Sequence, residues 1–122
     1  MKWYAAHIVM QVQFKTDTQM TFPVWENIYL IESESVEEAL TKAESIGVAN
    51  EGDNGGSFFW EEMPARWVYK GVRKLQTLSH PSDPGNKPTD GCELTFTTYE
   101  FASPGDLDRF VEGEEVVAKI LD

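Results

Sequence analysis

The chain is short of cysteine, of positive charge and of long apolar runs, and each shortage narrows what it can be. Its one thiol, Cys92, cannot close an intramolecular disulfide, which fits a reducing compartment. Lys and Arg together number 10 against 21 Asp and Glu, a formal net charge of -11. Phosphate backbones are bound by basic side chains that displace counterions, so no nucleic acid is expected as a partner. The longest apolar stretch, Tyr4 to Met10, already contains His7 and falls well short of the roughly 20 residues that a membrane helix needs, so no membrane partner is expected. No basic segment followed by an apolar run and a small-residue cleavage site opens the chain, so no secretory leader and a cytoplasmic location are expected. Neither His7 nor His80 has Cys or His at metal-ligand spacing, and Cys92 belongs to no Cys-x-x-Cys pair, so no cofactor and no metal are implied.

What is present is enough for one core. The chain has 122 residues, of which 41% are hydrophobic and 25% charged, the length and composition of one folded domain spanning 1–122. From Lys2 to Phe14, Tyr4, Ala6, Ile8, Met10, Val12 and Phe14 alternate with Trp3, Ala5, His7, Val9, Gln11 and Gln13, the period of a strand with one face on the core. A second extended run, Val24 to Glu32, begins just after Pro23 and predicts an antiparallel partner.

The clearest local signal is "SVEEALTKAESIG". Ser35 and Glu38 have capping-box spacing, Glu37 and Glu38 suit the positive end of the helix dipole, and Gly47 is expected as a left-handed cap. Val36, Ala39, Leu40, Ala43 and Ile46 form the predicted sheet-facing stripe. Arg66 to Thr77 reads as a third strand, with Trp67, Tyr69 and Leu75 on one face and Val68 and Val72 on the other; Gly71 within it signals a bulge or a close approach. Ser79 to Gly91, with three prolines, reads as a loop, and Cys92 to Phe101 as a fourth strand. Ser103-Pro104 opens a short helix to about Glu112, and the stretch after it favours a closing strand while also fitting a helix.

The segments "KWYAAH", "IYLIESESVEEALTKAESIG", "WVYKGV" and "DGCELTFTTYEF", taken in that order, resemble a bacterial family of small domains of unknown function. The resemblance implies a compact α+β domain of bacterial origin and names no catalytic or binding residue.

Candidate chemistry is sparse. In "EGDNGGSFFWEEM", Glu51, Asp53, Gly56 and Glu62 fall at the first, third, sixth and twelfth places of a calcium loop, but Gly55 stands where an oxygen ligand belongs, so the tract reads as an acidic turn. Its glycines would also allow Phe58, Phe59 and Trp60 to cover an apolar ligand. His7 has the chemistry of a general base, yet the sequence places no orienting group beside it. Between Glu26 and Glu62 there are ten acids and one base, Lys42, whereas Arg66, Lys70, Arg73 and Lys74 follow without an acid, an arrangement suited to cross-strand or intermolecular pairing.

The expected architecture is a single α+β domain: an antiparallel sheet of four to five strands with one or two helices packed on one face. The expected function is a non-catalytic module that self-associates, as a homodimer or a higher oligomer, through the second sheet face bearing Trp3, Val9, Trp25 and Tyr29. Two alternatives stand beside it. One is a small-ligand binder or enzyme with a pocket under Phe58, Phe59 and Trp60 near His7 and Gly71. The other is an acidic, immunity-like protein that binds a basic protein partner.

Overall fold

A computed structural model describes residues 1–16, 18–78 and 87–122. In chain order the elements are β1 (Lys2–Phe14), β2 (Val24–Ser33), α1 (Val36–Ala49), β3 (Phe59–Trp60), β4 (Met63–Leu78), β5 (Tyr99–Glu100), α2 (Pro104–Val111) and β6 (Lys119–Ile120). Four strands make an antiparallel sheet in the order β2-β1-β4-β3, and β5 pairs with β6 in a second, two-stranded sheet. The fold is α+β. His80 and most of the proline-rich loop lie outside the described residues.

β1 is the central strand because both of its edges are paired and its alternation is strict. Tyr4, Ala6, Ile8, Met10 and Val12 are all buried, and this face carries α1. Each large side chain removed from water in this way contributes on the order of 1.5–3 kcal/mol.

The helix begins as its sequence demands, with the Ser35 hydroxyl accepting from the Glu38 N–H at 3.1 Å. It does not end at Gly47. It continues to Ala49 and is capped by Asn50 with φ −89°, so no left-handed residue is required. Gly47 is buried because the ring of Tyr69 lies against it, and the inward stripe is Ala39, Ala43 and Gly47. These small residues let the helix approach the sheet closely, while Val36 and Leu40, expected inside, are exposed.

β4 departs from simple alternation twice. It pairs His7 with Lys74, Ile8 with Val72, Val9 with Gly71 and Met10 with Tyr69, so Arg73 and Lys70 are each extra residues on the β4 side. Two insertions reverse the parity and then restore it. Val72, expected on the second face, therefore joins Trp67, Tyr69 and Leu75 against the helix-side core. Gly71 sits between the insertions with φ +152°, the bulge that its presence in a strand signals.

The expected fourth strand across Cys92–Phe101 shrinks to Tyr99–Glu100, and the closing strand to Lys119–Ile120. α2 starts where Ser103 and Pro104 dictate, the Ser103 hydroxyl accepting from the Asp106 N–H at 3.1 Å. Phe110 of this helix meets Tyr99 and Phe101, with ring centroids 5.1 and 5.0 Å away. Of the two helices, α1 is the one that packs on the four-stranded sheet among the described residues.

Candidate functional site

The side chains opposite α1 form the second face: Trp3, Ala5, His7 and Val9 from β1, Lys74 and Gln76 from β4, and Val24, Glu26, Ile28 and Leu30 from β2. The segment after β4 returns across part of it. His7, with no exposed surface, is held from both sides. Its Nδ1 donates to Glu26 Oε2 at 2.5 Å, and its Nε2 faces the Thr95 hydroxyl.

A carboxylate, a histidine and a hydroxyl in a row have the composition of a nucleophilic relay, so the proton count matters. Thr95 Oγ1 lies 3.2 Å from Gln76 Oε1, an oxygen that can only accept. The Thr95 hydroxyl thus has two neighbours for its one proton, Gln76 Oε1 and His7 Nε2, and these contacts tie the later segment to the sheet.

Further ties follow the same line. Lys74 Nζ donates to Phe96 O at 2.5 Å, lies 4.0 Å from the Phe96 ring centroid and meets Asp122 Oδ2 at 2.8 Å. Arg73 bonds Glu26 at 3.4 Å and also reaches Asp122. The Lys74 ammonium, with help from the Arg73 charge, holds the Asp122 carboxyl below its usual range. Two of the four unmatched bases of β4 thus find acids within the chain.

The acidic glycine tract is occupied by its own backbone. Asp53 accepts from the Gly56 N–H at 2.9 Å and pairs with Lys15, whose hydrogen bond is the main reason its carboxyl is held low. Glu51 accepts from the Tyr69 N–H at 2.9 Å. Among the described residues, no three His, Cys, Asp or Glu groups converge as metal ligands. Burial raises the Tyr69 phenol, with the Glu44 charge adding to it.

The sequence candidates divide between the two faces. Trp3, His7, Val9 and Gly71 lie on the second face, whereas Trp25 pairs with Met10 and Tyr29 with Ala6 and so both lie on the helix side, a correction to the expected interface. Phe58 stacks on Trp67 there at 5.1 Å, and Phe59 and Trp60 pair with Pro64 and Met63 at the far edge of the sheet. Phe58 thus lies on the opposite face of the sheet from His7 and Gly71. Cys92 lines a cavity of about 280 Å³ with Gln76, Leu78 and Glu93.

What remains open on the second face belongs to β2. Val24, Ile28 and Leu30 are 50%, 48% and 53% exposed. The same residues turn their backbone groups away from β1: the odd set faces inward, as Pro23 O accepting from the Val12 N–H shows, and Glu32 O faces outward to Lys42 Nζ at 2.6 Å. The unpaired edge therefore runs through Val24, Glu26, Ile28 and Leu30. The sequence does not show this row, because the hydrophobicity of β2 does not say whether the strand lies at the edge or in the middle of a sheet.

A family model described as "Domain of unknown function (DUF4288)" matches residues 3–95. The chain belongs to the DUF4288 family. The DUF4288 match takes in all of the four-stranded sheet but Lys2, together with α1, and ends at Thr95, the residue that closes over His7. No curated protein matches the chain, and no solved structure does.

Proposed function

We propose that this domain is a non-catalytic interaction module that self-associates by pairing β2 with β2 of a second copy. The carrying observation is the open edge itself. β2 is ten residues long, is paired on one side only, contains no proline, lysine or bulge, and presents three half-exposed aliphatic side chains. Edges of that kind template further strands, and most proteins interrupt them.

A second copy is favoured over another occupant because antiparallel pairing of identical strands has a two-fold axis and closes on itself. Centred on Ile28, the pair sets Ile28 against its own copy, Glu26 against Leu30 and Glu32 against Val24. That register avoids placing like charges opposite each other. The result is an eight-stranded sheet in which Ile28 meets its own copy at the centre of the join.

Lysine at this row tests the reading. In light scattering at about 100 μM, a range that micromolar affinity would populate, the unmodified chain should have the mass of a dimer, and Ile28→Lys and Leu30→Lys should have that of a monomer with unchanged circular dichroism. A monomeric unmodified chain, or lysine variants that remain dimeric, would remove the reading.

A further inference from the structure

On the helix side, beyond the end of α1, lies a cleft of about 330 Å³ lined by Met10, Trp25, Asn27, Tyr29, Asn50 and Trp67. We infer that this cleft binds a neutral pyranose ring, seated on the indole of Trp25 and hydrogen-bonded at its edge by the two asparagine amides and the tyrosine hydroxyl.

The shape sets the size. The volume lies at the small end of the range for ligand sites, which suits one or two rings. The wall sets one face of the ligand. Trp25 is 51% exposed although it rests on Trp67 with ring centroids 4.8 Å apart, so a large flat apolar surface stands open to water. The axial C–H face of a pyranose is apolar and of matching width.

The rim sets the other edge. Asn50 Nδ2 donates to Tyr29 Oη at 2.9 Å, which leaves Asn50 Oδ1 and the Tyr29 proton to meet a ligand. The Asn27 amide makes no hydrogen bond among the described residues and adds a donor and an acceptor. Amides and a phenol recognise hydroxyls, which both give and take.

Charge and angle exclude the nearest competitors. No Lys or Arg lines the cleft and the chain carries a net charge of -11, so phosphorylated sugars and nucleotides are disfavoured. The two indoles meet at 53°, which closes any parallel slot that would sandwich a nucleobase and leaves one open face. This inference is independent of pairing through β2, since Trp25, Asn27 and Tyr29 point to the opposite side of the sheet from Ile28 and Leu30.

The test is titration followed by the indole N–H signals in nitrogen-15 correlation spectra, with methyl α-glucoside, methyl α-galactoside, methyl α-mannoside and N-acetylglucosamine, and with adenosine as the competing chemistry. One ring on one indole with three polar contacts should bind with a Kd near 1 mM, so each probe is taken to about 50 mM. At least one pyranoside should shift the Trp25 and Trp67 signals saturably. Trp25→Ala should weaken that binding at least tenfold, read from backbone amides around the cleft, and Asn27→Ala several-fold, both variants remaining folded by circular dichroism. Silence to every pyranoside, binding that survives Trp25→Ala, or a response to adenosine alone would each overturn the inference.

Discussion

Gly47 of α1 lies directly against the ring of Tyr69 in β4, so that a Cβ added to it would come within 2.3 Å of Cδ1 and 2.5 Å of Cε1. In an ordinary helix interior, exchanging glycine for alanine gains about 1 kcal/mol. Here the methyl group must push a packed ring, and overpacking of that kind costs about 1–3 kcal/mol. Gly47→Ala should therefore lower the urea midpoint, and a raised midpoint would mean that the helix stands farther from β4 than described.

The His7 array makes a second prediction. Thr95→Val keeps the shape of the side chain and removes the hydroxyl that meets Nε2, leaving a fully buried ring nitrogen unpaired at a cost of about 1–3 kcal/mol. Thr95→Ser restores the oxygen and should recover most of the loss. If valine and serine behave alike in urea denaturation, the hydroxyl contributes nothing and the tie is a packing contact only.

The ties at Asp122 carry a pH signature. Its carboxyl is held below the ordinary aspartate value of about 3.9. A depressed group stabilises the folded chain above its unfolded value, and the contribution is lost as pH falls through the lower, folded one. Cleavage between Phe96 and Asp122 by an acid-active protease should accelerate below about pH 4, and Asp122→Asn should show the fast rate at every pH and lose most of that dependence. Asp53 titrates in the same window through Lys15, so Asp53→Asn serves as the control and should leave the cleavage profile of Phe96–Asp122 in place.

The turn between β3 and β4 stores strain that a substitution can release. Trp60 pairs with Met63, so Glu61 and Glu62 are the two turn residues, with φ of 50° and 69°. Positive φ at both positions is the type I′ hairpin geometry that favours Asn-Gly. Glu61→Asn combined with Glu62→Gly should raise stability by about 1–2 kcal/mol in thermal or urea unfolding. No gain would mean that the glutamates hold the turn through contacts of their own.

Much of the frame was legible because it depends on local period. The alternation of Tyr4 to Val12 gave β1, Ser35 with Glu38 gave the start of α1, and Ser103-Pro104 gave α2. Parity across elements was not legible. Trp25 changes face with a one-residue change in the link before it, and Val72 changes face because Lys70 and Arg73 are inserted residues. Gly47 had two physical explanations, of which a sequence alone favours the commoner. The alternation of Cys92 to Phe101 was real, but only Tyr99 and Glu100 have a strand beside them. The link from His7 to Thr95 spans 88 positions and follows from no spacing rule.

Pairing through β2 is tested most directly by amide hydrogen exchange across a dilution series. In the dimer centred on Ile28, the outward N–H groups of Val24, Glu26, Ile28 and Leu30 become ladder donors. Their exchange should be slow at about 100 μM and should quicken on dilution through the micromolar range, while the β1-facing amides of the odd residues stay protected throughout. Fast exchange of these four amides at every concentration would contradict the account.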